Sequence, residues 1–264
     1  ASAPAVWYSA SRMQCTLPSM VPGTVALGLS LAGTVVALAA TPFEVQSTAL
    51  LYSVQPTAGP VLGGTQVVLV GEHFSVQSAS LSYSQCRFNL TVSSAQLINS
   101  SALTCSAPPF SGELGPLSMP GTVALRITNN LLDFTDSMVS FTYLPEVELT
   151  SITPPSGPIL GGSLVTLLGE NFLANRTSMC RFGAVAVLAT YVSSTIVQCA
   201  SPALAYNQQQ VVPVSASTNG GYDFSASQLQ FTYLPDVVVA TLIPAAGPQQ
   251  GRTLVSVRGA GFVD

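Results

Sequence analysis

Lysine is missing from this chain. Its 264 residues carry seven basic side chains, all arginine, against eleven acidic ones, for a net charge of −4. Charged residues make up 7% of the sequence, where soluble proteins average roughly 25%. Neutralising nucleic-acid phosphates takes clustered Lys or Arg, so the charge pattern argues against a nucleic-acid partner. There is a single histidine, His73, so any serine–histidine or cysteine–histidine chemistry must run through that residue. Thiolate and imidazole ligands are too few for a metal centre. The acidic residues of the late strands, Asp133, Asp136 and Asp223, lack the density of an oxygen cage for calcium. They read instead as turn residues, with Asn219-Gly220 as a hairpin turn. No window shows an apolar stripe of period 3.6 over a helical length.

Long apolar runs are also scarce. With hydrophobic residues at 48% and a mean hydropathy of +0.49, one segment approaches membrane-spanning length: TVALGLSLAGTVVALAA, residues 24–40. Its first letters belong to PGTVAL at Pro22–Leu27, which recurs at Pro120–Leu125 and is followed there by Arg126. The expectation is therefore two buried strands joined near Gly33. No membrane span is expected within the chain, and no signal peptide is legible.

What is present is repetition. GPVLGGTQVVLVGEHF from Gly59 returns as GPILGGSLVTLLGENF from Gly157 and as GPQQGRTLVSVRGAGF from Gly247, at intervals of 98 and 90 residues. Such a period suits a sandwich domain. Each Gly-Pro turn is preceded by a short strand and followed by an alternating one, in which Val67 and Leu69 face one side and Val68 and Val70 the other. The "GG" precedes a strand and not a helix, so it is no phosphate cradle. Then come "CRF" at Cys86 and Cys180, a second cysteine 19 residues on, and a closing "FTYLP" at Phe141 and Phe231. Short strands between Gly, Pro, Asn and Ser clusters give an all-β reading.

The matched spacing pairs Cys86 with Cys105 and Cys180 with Cys199. Each bridge closes a loop worth on the order of 3 kcal/mol and points to an oxidising compartment. Cys15, in CTLP, aligns with CSAP at Cys105 and CASP at Cys199. Its partner is expected outside the chain. This register yields four segments: residues 1–46 as the C-terminal part of a module, 47–145 and 146–235 as complete modules, and 236–264 as the N-terminal part of another. The chain reads as a window on a longer array. Sequons at Asn89, Asn99 and Asn175 agree with secretion and N-linked glycans. Asn89, aligned with Gly183, also suits a backbone position with positive φ. Arg87 and Arg181 of "CRF" read as structural, with stems on apolar surface beside the disulfide and forks on nearby carbonyls.

The pattern P..GP..GG..V.L.GE.F with CRFG, YVSSTIVQCASP and a closing FTY resembles the IPT/TIG domain, an immunoglobulin-like sandwich. The resemblance is clearest over residues 146–235, good over 47–145 and partial at both ends. It is similar to the cysteine-bearing extracellular version found in plexins, hepatocyte-growth-factor-receptor-type proteins and fibrocystin-like proteins. The DNA-binding branch fits poorly. The third copy departs from it, with Gly251-Arg252 for "GG" and Arg258 in the strand.

The resemblance implies tandem β-sandwiches arranged end to end, outside the cell or on its surface. No cofactor, metal or enzymatic activity is expected. His73 stands where the other copies have Asn171 and Gly261, which makes it a variable loop position. The first expectation is a structural or adhesive glycoprotein, a stiff rod in a cell-surface fibre or filament of mastigoneme-like kind. Its partners would be other copies of itself or other extracellular glycoproteins. The alternative is the ligand-binding or stalk region of a receptor ectodomain.

Overall fold

A computed structural model describes residues 2–110, 121–205 and 208–262. Pro120 of the second PGTVAL lies outside them, as do the terminal residues 1, 263 and 264. The chain divides into two compact units, 1–54 with 68–105 and 124–139, and 55–67 with 106–123 and 140–264.

The first unit opens with three two-stranded antiparallel ladders. They are β1 (Ala5–Ser9) with β2 (Arg12–Cys15), β3 (Gly23–Val25) with β6 (Phe43–Val45), and β4 (Gly28–Leu31) with β5 (Thr34–Leu38). The segment expected to hold two buried strands does turn at Ala32-Gly33, with φ of 49° and 86°. Burial is a different matter. Leu31 and Leu38 are about 70% exposed at 72% and 68%. A hairpin buries its apolar side chains only under a second layer, and among the described residues no layer covers this one.

Strands β7 (Leu50–Gln55), β8 (Ala58–Pro60), β9 (Gln66–Glu72), β10 (Gln85–Phe88), β11 (Thr91–Asn99), β12 (Ala102–Ser106), β13 (Thr122–Thr128) and β14 (Ser140–Leu144) follow, with one short helix, α1 (Val76–Ser80), capped by Ser75. In the first unit the ladder order is β7-β9-β12-β11-β10-β13. Alternation in β9 is as the sequence implies: Val67 and Leu69 are fully enclosed while Val68 and Val70 are exposed. Cys86 on β10 is bonded to Cys105 on β12.

The second unit holds a two-layer sandwich. One sheet is β15 (Glu148–Thr153), β17 (Leu164–Glu170), β21 (Ile196–Ala200) and β20 (Thr190–Ser193). The other is β16 (Ser156–Pro158), β23 (Gln230–Leu234), β22 (Gln210–Ser217), β18 (Met179–Phe182) and β19 (Val185–Leu188). Pro154 and Pro155 carry no N–H, so the ladder of β15 cannot continue through them. The chain crosses instead to the opposite sheet, where β16 runs parallel to β23. The same parallel step joins β8 to β14 in this unit. The Cys180–Cys199 disulfide links the two sheets of the sandwich. Around it Val165, Leu167, Val197, Val214, Phe231 and Tyr233 have no exposed surface.

Glycine recurs in the repeat because backbone passes close. A Cβ on Gly71, Gly169 or Gly259 would run into the carbonyl oxygen of Leu50, Glu148 or Val238 respectively. The last of these lies in the hairpin of β24 (Val238–Ile243) and β25 (Ser256–Ala260). That hairpin repeats the β15–β17 pairing residue for residue, irregularity included. At the other end, β1–β2 pairs Ala5 with Cys15 as β11–β12 pairs Ala95 with Cys105. Cys15 is exposed and unbonded.

Candidate functional site

Pro145, Glu146 and Val147 alone separate β14 from β15. Across this junction, within the second unit, the loop after β22 reaches back to the Gly-Pro turn that follows β7. Asp223 Oδ2 accepts the Thr65 hydroxyl at 2.7 Å. Asn219 Nδ2 donates to the Ala58 carbonyl at 3.1 Å and to Asp223 Oδ2 at 2.7 Å. Gln55 Nε2 donates to the Tyr222 hydroxyl at 3.0 Å, and the Leu62 amide donates to Glu146 at 3.3 Å. Thr65 is buried, which makes its bond to a carboxylate costly to lose.

The loop is built for this task by its own side chains. Asn219 Oδ1 accepts the Ser217 hydroxyl and the Asp223 amide, while Ser217 Oγ accepts the Asn219 and Gly221 amides. Asn219-Gly220 is therefore not the two-residue hairpin turn expected from the sequence. The asparagine side chain holds a wider loop open, closed at its base by Ala216 and Ser225. A shallow cleft lined by Pro60, Leu144, Glu146, Asn219, Asp223 and Phe224 lies beside it.

Other singled-out residues are dispersed. His73 takes a left-handed φ of 62° and bonds the Thr48 carbonyl through Nδ1 at 2.9 Å. Asn171, at φ 67°, reaches the Glu146 carbonyl in the same way at 2.7 Å. The position thus closes a strand end. Among the described residues, no three His, Cys, Asp or Glu side chains gather to hold a metal, and no helix is long and apolar enough to cross a membrane. Asp136 pairs with Arg126 at 3.7 Å on the surface.

Arg87 and Arg181 are placed otherwise than expected. Their guanidinium groups lie over the rings of Phe134 and Phe224, 3.9 and 4.2 Å from the centroids, where forks on nearby carbonyls were expected. Arg181 Nε also meets Ser215 Oγ at 3.2 Å. Arg126 stands opposite Arg87 where Ser215 stands opposite Arg181, so Arg87 Nε is left without a hydrogen-bond partner among the described residues. A cation over a ring face is stabilised without any acceptor.

The closing aromatics are anchors. Tyr143 donates to the Pro108 carbonyl at 2.8 Å and Tyr233 to the Pro202 carbonyl at 2.9 Å. Burial lifts both phenols above their ordinary value of 10.0, Tyr233 to about 12. Asn89, Asn99 and Asn175 are exposed, Asn89 with φ 55° at the β10–β11 turn.

A family profile for the IPT/TIG domain matches residues 49–143 and 148–233. The chain belongs to the IPT/TIG domain family. Its two matched IPT/TIG modules meet at the junction just described. Among curated proteins, the chain is 28% identical over 145 residues to Plexin-2 of Caenorhabditis briggsae, covering 54% of this chain and 8% of that protein. It is 29% identical over 91 residues to a protein of Dictyostelium discoideum named as the probable serine/threonine-protein kinase drkC, covering 33% of this chain and 12% of that one. The chain thus spans about a tenth of the length of these relatives. Among solved structures, the full extracellular region of plexin A4 aligns over 88% of this chain and 21% of its own, at 19% identity and a TM-score of 0.49.

Proposed function

We propose that the chain is a non-catalytic stretch of a cell-surface ectodomain, in which tandem IPT/TIG modules act as a stalk that spaces and orients what they carry. The observation that carries this reading is the junction. Three residues link β14 to β15, and the Asn219–Asp223 loop ties the second module to the Ala58–Thr65 turn of the first. A flexible tether has no such contacts.

An extracellular setting is supported by one disulfide per module and by the similarity to a plexin. Exposed sequons at Asn89, Asn99 and Asn175 would carry N-linked glycans there, and Cys15 would pair with a cysteine outside residues 1–264. The segments 1–46 and 236–264 are proposed as parts of further modules, on the pairing shared by β1–β2 with β11–β12 and by β24–β25 with β15–β17. The comparisons lend the mastigoneme-like filament no support, and that reading rests on composition alone.

The test is secretion of the chain from eukaryotic cells behind an added leader. Intact mass before and after deglycosylation, with and without reduction, reads glycans and disulfides together. A product retained in the cell, reduced at Cys86, Cys105, Cys180 and Cys199 and free of sugar, would contradict the ectodomain reading.

A further inference from the structure

The sheet β7-β9-β12-β11 of the first unit has an apolar outer face. Leu51, Val67, Leu69 and Leu103 point into the core, and Leu50, Tyr52, Val68 and Val70 point away from it, all exposed, Tyr52 by 55%. Among these outer residues Glu72, beside the Tyr52 hydroxyl, carries the charge. Asn99 belongs to the same face. Leu97 pairs with the buried Leu103, but the irregularity that follows sets Ile98 and Asn99 opposite Ala102. An extra residue in a strand turns the next side chain to the other side of the sheet, and paired residues share a side. Ile98 and Asn99 are both exposed. β12 alone lies between this corner and β9, whose Gly71 amide donates to the Ser101 carbonyl at 2.9 Å.

The second module lacks both halves of this arrangement. Glu148, Thr150 and Thr166 stand at the places of Leu50, Tyr52 and Val68, with Leu168 at that of Val70. Ser193, paired with Ile196 after the same irregularity, stands at the place of Asn99 and begins no sequon. The exposed Leu164 of that sheet pairs with Ala200, at the far end from Ser193. The sequon thus sits on the module whose nearby surface is apolar, and its counterpart is missing where that surface is polar. Glu148 and Thr150 stay exposed within the second unit, which also holds residues 55–67, 106–123 and 140–145 of the first module. This corner is therefore not one that a preceding module closes. Asn89 and Asn175 lie in turns and have no such face beside them.

We propose that an N-linked glycan on Asn99 folds back across the sheet and covers Val70, Val68 and Tyr52, acting as an outer layer for the first module. Two strand spacings, about 10 Å, separate β11 from β9, within reach of the innermost sugars. A pyranose ring carries C–H groups on its faces and hydroxyls round its rim. It removes apolar side chains from water while its own polar groups stay hydrated. An apolar face left bare invites association with other chains, and a sugar anchored on the face blocks it. This inference rests on the ectodomain reading for the presence of sugar and adds what one particular sugar does.

The experiment is hydroxyl-radical footprinting of the secreted chain, read residue by residue by mass spectrometry, with sugar occupancy measured at each sequon. Enzymatic removal of the sugar from the folded chain should raise labelling of Tyr52 several-fold and leave the exposed Tyr222 of the second module unchanged. Asn99→Gln and Ser101→Ala, which each destroy the sequon, should do the same, whereas Asn89→Gln and Asn175→Gln should change neither tyrosine. Circular dichroism checks that each variant is folded, and the enzymatic comparison needs no substitution. Asn99 found without sugar overturns the proposal. So does labelling of Tyr52 that is equal with and without the sugar. If Asn99 is bare while Asn89 or Asn175 is glycosylated, this inference falls alone and the ectodomain reading stands. A chain bare at every sequon and reduced at Cys86, Cys105, Cys180 and Cys199 loses both.

Discussion

Asp223 receives the hydroxyl of Thr65 from 158 residues away, at 2.7 Å, and Thr65 is buried where it gives it. Deleting the carboxylate leaves that hydroxyl without its partner and takes one of two acceptors from Asn219 Nδ2, which keeps the Ala58 carbonyl. Asp223→Ala should cost about 1.5–3 kcal/mol of the stability of the second module. Asp223→Asn keeps an acceptor oxygen and should cost less. Calorimetric unfolding of the chain measures both. A loss no larger than that of Asp136→Ala, on a carboxylate that is almost wholly exposed, would mean that the junction contact contributes nothing.

The buried phenols predict an alkaline limit. Burial raises Tyr233 to about 12 and moves Tyr143 in the same direction from 10.0. The folded state therefore holds its protons more tightly than the unfolded state does. Stability from this source is fully present below pH 10, where both states are protonated, and is lost as pH climbs from 10 towards 12. Tyr143→Phe and Tyr233→Phe should each remove about 1 kcal/mol at neutral pH, by losing the bond to Pro108 or Pro202. The double variant should also show a flatter decline above pH 10. Urea unfolding across that range is the measurement, and an unchanged slope would refute the assignment.

Two glycines of the repeat should respond unequally. At Gly71 a methyl group would enter the Leu50 carbonyl and approach the Phe74 ring at 2.5 Å. Gly71→Ala should cost more than about 2 kcal/mol, through displacement of a neighbouring strand. Gly64 has open space around it but a φ of 90°, so Gly64→Ala should cost only the backbone term, about 1 kcal/mol. Chemical denaturation of both variants tests the order, which reverses if torsion outweighs the close approach.

Period and polarity made much of the fold readable in advance. The alternation of Val67 to Val70 and the matched 19-residue cysteine spacing are local patterns that translate directly into a face and a bridge. The positive φ of Asn89 followed from its alignment with Gly183, which has φ 60°. Contacts that depend on a second layer were not readable in this way. Val35 and Leu38 look like core residues, but core is a property of what lies opposite. Arg87 was placed beside its disulfide, yet its ring partner Phe134 comes from a strand connection 47 residues on. The junction left a faint trace: threonine or serine at 65, 163 and 253, and Asn with Asp three or four residues later at Asn130–Asp133 and Asn219–Asp223. Nothing local shows that the first belongs opposite the second.

The disulfides also matter for a chain under tension. Cys86–Cys105 holds its Cα atoms 6.5 Å apart, and Cys180–Cys199 holds its pair 6.3 Å apart. Each closes a ring across a sequence separation of 19. If a module were pulled open from its ends, that ring could not pay out, and its extension would fall short of the full contour by about 60 Å. A modular tether built this way lengthens in shorter steps and retains a bridged knot in each opened module, and reducing agents would set how far it can stretch.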